Sequence, residues 1–206
     1  MLNEIFAPSI SGITVIEEDI GAVSMLLAKQ VGSYAVSLGK KVCYVSLADG
    51  QTMRNKELVG VLTAPTGEEL QQSFLERNSV TINVKPSSLV VENLSYDLVV
   101  FESFSNLVFT KSERDIVELF SEMKKLVPLG RNFVLVVETP LLSSKINGYI
   151  RSMSDNVIMI RTEIIGDKVT RLLFVPKMKG VEPMDRLIKF TIEDDQLQVD
   201  TREFVG

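Results

Sequence analysis

Five short strand-like runs, most of them continuously apolar, separated by stretches with helical spacing, constrain what this chain can fold into. They cover residues 12–17, 41–47, 79–84, 96–102 (YDLVVFE) and 132–138 (NFVLVVE). A strand with one wet face alternates apolar and polar residues. Apart from 79–84 (SVTINV), these runs do not alternate, so both of their faces must be covered. Between them, residues 22–38 (AVSMLLAKQVGSYAVSL) read as a helix, with Gly39 just past its end, where left-handed backbone is common. Residues 67–76 follow Thr66, with Glu69 completing a capping box, and residues 111–127 follow Thr110, with Glu113 completing another. Ile116, Leu119, Phe120, Met123, Leu126 and Val127 form an apolar stripe on the latter, which Pro128 and Gly130 end. Strand–helix–strand repetition of this kind predicts right-handed crossovers and an α/β fold, a parallel sheet with helices on both faces.

The last third changes character. Residues 157–163 and 169–175 flank Gly166-Asp167, and residues 187–193 and 196–200 flank Asp194-Asp195. Both are hairpin signals, so antiparallel strands extend the parallel sheet. With no linker or repeat in view, the 206 residues are expected to form a single domain, 1–206. A chain of that length buries about 70% of the surface its unfolded form exposes and needs no staples.

Composition removes whole classes of chemistry. The chain has no histidine, hence no usual general base, no imidazole metal ligand and no Ser-His-Asp arrangement. Its one cysteine, Cys43, lies in the apolar run VCYVSL and reads as a buried thiol. Neither CxxC nor HExxH occurs, so no metal site is expected. A net charge of −5 disfavours broad binding to nucleic acid or to an anionic membrane surface. The N-terminal residues lack a charged n-region with an apolar h-region, and no apolar run reaches about 18 residues. The expectation is a soluble cytoplasmic protein without direct membrane insertion.

Residues 12–25, GITVIEEDIGAVSM, follow the strand–loop–helix plan of a phosphate-binding loop, GxxxxGK[ST]. Such a loop uses glycines to bring backbone N–H groups to phosphate, a lysine on the β/γ-phosphates and a hydroxyl on Mg²⁺. Here the first glycine position is Glu18 and the second is Val23; the lysine position is Ser24 and the hydroxyl position is Met25. Asp19, Ile20, Gly21 and Ala22 lie between, and only Gly21 suits a tight turn. Glu17, Glu18 and Asp19 put three acids where a polyanion would dock.

The chain resembles RecA-like ATPases of the KaiC type and is similar above all to the archaellum accessory protein FlaH. The residues that carry the likeness are GITVIEED, GKKVCYVSLAD, YDLVVFESFSNLV, NFVLVVETP and SDNVIMIRTEIIGDKVTRLLFVPKMKG. The resemblance implies a RecA-like three-layer sandwich over residues 1–206, and with it a degenerate Walker A loop. It places Glu102 at the Walker B position and Ala48, beside Asp49, at the position of the water-activating glutamate. It also makes Lys177 and Lys179 the counterpart of a basic pair that reaches a neighbouring subunit's phosphate.

Several residues carry two readings. Glu102 and Glu138 end successive strands of the sequence and are either a carboxylate pair, if those strands are adjacent in the sheet, or separate strand-end residues. Lys177 and Lys179 are either an inter-subunit contact or a solvated loop. Asp97 reads as a strand-entry residue. Phe101, Phe104, Leu107 and Phe109 read as packing, unless Phe104 and Phe109 are exposed together as a partner surface. The leading expectation is a pseudo-ATPase: no enzyme activity, no catalytic residues, no metal and no cofactor, with ATP and Mg²⁺ the cofactors of the alternative. Its partner would be a protein, an active ATPase of an archaellum or type IV pilus-like machine or an intact paralogue; a homo-oligomer is the other possibility, and the source is archaeal. The alternatives are an ATP-binding switch or slow ATPase with a rebuilt loop, and a RecA-paralogue factor in DNA repair.

Overall fold

The computed structural model describes residues 7, 9–19, 23–47, 79–84, 96–109, 111–182, 184, 186–193 and 196–199. The expected helix at 67–76, the Asp194-Asp195 turn, and Ile20, Gly21, Ala22, Ala48 and Asp49 lie outside the described residues.

Among the described residues one sheet contains β1 (Ile13–Glu18), β2 (Val42–Leu47), β3 (Ser79–Val84), β4 (Leu98–Phe101), β5 (Asn132–Glu138), β6 (Asn156–Ile165), β7 (Lys168–Lys177), β8 (Ile188–Glu193) and β9 (Gln196–Val199). Their order is β3-β2-β4-β5-β1-β6-β7-β8-β9. Pairing is parallel from β3 through β6 and antiparallel from β6 to β9. The apolar runs are therefore strands, and β1, with a neighbour on each side, is central. The expected hairpin at Gly166-Asp167 is present, with Ile165 opposite Lys168 and Gly166 at φ +64°.

Among the described residues, helices α1 (Val23–Ser37), α2 (Phe104–Val108), α3 (Glu113–Leu126) and α4 (Ser144–Met153) cover the sheet. On one face Ile13, Val15, Val99, Phe101, Phe133 and Leu135 pack against α2, α3 and α4. Phe104 joins these layers, its ring 6.0 Å edge-on from both Phe101 and Phe120. On the other face Ile16, Val100, Val134, Val136 and Ile158 pack against Leu27, Ala28 and Val31 of α1, with Phe190 and Leu197 of β8 and β9 in the same cluster.

Helix ends follow local chemistry. Gly39, at φ +76°, sends its N–H to Val36 O (2.9 Å), and Lys40 N–H reaches Ala35 O (3.1 Å), a Schellman termination of α1. The capping box of α3 is Ser112 with Asp115, not Thr110 with Glu113. Both frames place an acid three residues after a hydroxyl. The one used sits directly before Glu113, so that Ile116, Phe120 and Met123 face the sheet.

Candidate functional site

The C-terminal ends of parallel strands are where α/β sheets bind ligands. Here that edge is built from Glu17, Glu18 and Asp19 at the end of β1, Glu138 and Thr139 at the end of β5, Glu102 and Ser103 after β4, and the starts of α1 and α4. Because successive strand residues point to opposite faces, Glu17 and Glu18 go different ways.

Glu17 faces α4. Its carboxylate, with a side chain 1% exposed, accepts from Arg151 Nε (2.8 and 2.9 Å) and pairs with a second guanidinium nitrogen at 2.7 Å. Glu18 faces α1 and is 2% exposed. Its Oε2 accepts from the Ser24 N–H (2.8 Å) and its Oε1 from the Val23 N–H (3.3 Å). The free amides at a helix start attract anions, and here the residue in the first-glycine position supplies one. Asp19 completes the set by accepting from Thr139 Oγ1 at 2.5 Å. All three acids of the loop thus have partners inside the chain.

Glu138 sits across from Glu18 in the β1–β5 register. It accepts from Ser103 Oγ (3.2 and 3.4 Å), which in turn accepts from Asn106. Burial pushes the Glu138 carboxyl above its ordinary range; the charge of Glu18 adds to the push, while hydrogen bonds, including that from Ser103, oppose it. Of the two readings of Glu102 and Glu138, the electrostatics of Glu138 do not support the pair: the carboxylate acting on Glu138 is Glu18. The β4–β5 register sets Phe101 opposite Leu135, three residues short of Glu138. Glu102 is half-buried instead near Tyr44, where burial first and the Glu102 charge second raise the phenol.

Other candidates resolve similarly. Lys177 is the last residue of β7, not part of a loop, and it is exposed. Its ammonium donates to the carbonyls of Ser154, Ser152 (3.1 Å) and Arg151 (3.4 Å) at the end of α4, where a cation meets the negative end of the helix dipole. Lys179 is exposed, and its backbone N–H donates to Asn156 Oδ1 (2.9 Å). Asp97 is a strand-entry residue, accepting from the Lys41 N–H at 2.8 Å. Phe101, Phe104 and Leu107 are core; Phe109 is 57% exposed but Phe104 is 0%, so the two form no joint surface. Cys43 is buried, which pushes its thiol to about 12.

The sequence reading did not single out Arg151, Thr139 or Ser103. Arg151 lies on a short helix containing Gly148, and nothing in the sequence pairs it with Glu17.

The Val23 and Ser24 amides at the start of α1 already hold the Glu18 carboxylate, and serine and methionine stand where the phosphate-loop pattern has its lysine and its hydroxyl. Among the described residues no group of three or more His, Cys, Asp or Glu is placed to hold a metal ion. Among them, too, no helix is long and apolar enough to cross a membrane.

No family model matches the chain, and no curated protein matches it. Solved structures do. The flagellar accessory protein FlaH from Methanocaldococcus jannaschii superposes with a TM-score of 0.68 at 16% identity, covering 92% of this chain and 89% of FlaH. A KaiC-like protein from Pyrococcus horikoshii OT3 gives 0.62 at 15% identity, covering 92% of this chain and 89% of its own. The fold is RecA-like, of the KaiC and FlaH type, with antiparallel strands on its C-terminal edge.

Proposed function

We propose that this chain is a non-catalytic relative of RecA-like ATPases that acts as an interaction or regulatory subunit. The observation that carries the reading is Glu18. A catalytic loop offers its amides to phosphate, whereas this one has bonded Val23 and Ser24 to its own carboxylate. A phosphate at about 4 Å from that carboxylate meets roughly 4 kcal/mol of repulsion per charge pair at an effective dielectric near 20. The helix dipole returns only about 0.3–1 kcal/mol. Ser24 puts no cation at the lysine position and Met25 no hydroxyl at the Mg²⁺ position to offset the difference.

With the phosphate chemistry gone, the scaffold remains as a surface for a protein partner. The FlaH structure is that of a flagellar accessory protein. The partner class proposed here follows from that likeness: an active ATPase of an archaellum or type IV pilus-like machine, or an intact paralogue of this chain. The setting is the cytoplasm.

Thermal unfolding with and without millimolar Mg²⁺-ATP and Mg²⁺-ADP tests this. A ligand at about 100 times its Kd stabilises by about 2.7 kcal/mol, which raises Tm by several degrees at this chain length. No shift is expected. A clear shift overturns the reading in favour of an ATP-binding switch with a rebuilt loop.

A further inference from the structure

We infer that the Glu17-Glu18-Asp19 turn is a permanent latch, in which the Glu18 carboxylate does by covalent tether what a bound anion does in a ligand-gated loop. The inference deepens the proposed function and rests on it for what the latch replaces, but it makes a separate claim. The edge of the sheet has one state, set by the chain itself, and the start of α1 is held without any ligand.

Three consecutive residues tie β1 to three different parts of the molecule. Glu17 holds α4 through Arg151, on one face of the sheet. Glu18 holds the start of α1 through Val23 and Ser24, on the opposite face. Asp19 holds the turn after β5 through Thr139. That turn is itself fixed to α4, since Asn147 Nδ2 donates to the carbonyls of Thr139 (3.1 Å) and Leu142 (3.4 Å). Lys177 closes the far end of α4 from β7. The layers on both faces are therefore linked through one strand end by side chains alone. Glu18 is long enough to reach back to the amides from the last residue of β1, and its burial keeps water from competing for them.

Such an edge does not respond to a nucleotide because it has no second state for one to select; a ligand shifts an equilibrium only by its differential affinity for two states. A partner that docks near this edge meets a constitutively fixed surface.

Amide hydrogen exchange at Val23 and Ser24 tests the latch, with Phe120 and Met123 of α3 as reporters of global folding. Glu18→Ala removes both acceptors and is expected to speed exchange at Ser24 by tenfold or more, as loss of a hydrogen bond to a charged group does. α3 should be unchanged. Glu18→Gln keeps an acceptor but not the charge and should fall between. Wild-type exchange at Ser24 in both variants overturns the latch. If Glu18→Ala loosens α3 as well, Glu18→Gln decides: acceleration confined to Val23 and Ser24 supports the latch, and unchanged exchange overturns it. A Tm shift with Mg²⁺-ATP in the wild type, alongside faster exchange in the variants, would overturn the pseudo-ATPase reading and the single-state claim while leaving the Glu18 tether in place.

Discussion

Removing Arg151 should cost far more than removing its partner. Glu17 has a side chain 1% exposed, whereas that of Arg151 is 43% exposed. Arg151→Met strands a buried carboxylate that has lost contacts of 2.7, 2.8 and 2.9 Å. Breaking a buried pair from one side costs 3–5 kcal/mol, and the partial exposure here argues for the lower end, about 3 kcal/mol. Glu17→Leu leaves a guanidinium that turns into water, at about 1 kcal/mol. At this chain length about 3 kcal/mol lowers Tm by roughly 6–12 °C. Urea unfolding followed by circular dichroism measures both, with the double variant closing the cycle. Equal costs for the two single variants, or a cost below about 1 kcal/mol for Arg151→Met, would refute the reasoning that burial of Glu17 sets the energy.

Two further outcomes follow from the same edge and core. The Glu138 carboxyl is raised above its ordinary value of 4.5, so the folded state holds a proton more tightly than the unfolded one. Its contribution to stability is present below the ordinary value and is lost as pH rises through the folded value. Glu138→Gln should flatten that part of the pH–stability curve, and an unchanged slope in urea titrations across it would contradict the assignment. The Cys43 thiol, buried and raised to about 12, should be inert to a thiol-specific disulfide reagent at pH 8 in the native protein and react at once in denaturant. Rapid labelling of the folded chain would show that β2 is not covered as described.

The parallel half of the sheet was legible because its strands are apolar on both faces, a pattern that needs covering layers whatever the strand order. The hairpin at Gly166-Asp167 was legible from its turn residues. The site was not, for the same reason that the strands were. With Ile13 through Glu18 buried on both faces, no alternation tells which face Glu17 or Glu18 takes. The sequence reading therefore saw three acids that would repel a phosphate. It did not see that one of them occupies the amides such an anion would use. That Glu138 lies opposite Glu18 depended on β1 lying beside β5 and on register, neither of which a local pattern specifies. The capping box of α3 was misplaced because two overlapping hydroxyl–acid spacings compete, and tertiary packing of Ile116, Phe120 and Met123 selects between them.

Crystals grown with millimolar Mg²⁺-ATP would test the central claim most directly. The account predicts that the Glu18 carboxylate stays on the Val23 and Ser24 amides and that no triphosphate is ordered at the end of β1. Ordered phosphates on those amides, with Glu18 displaced, would contradict it.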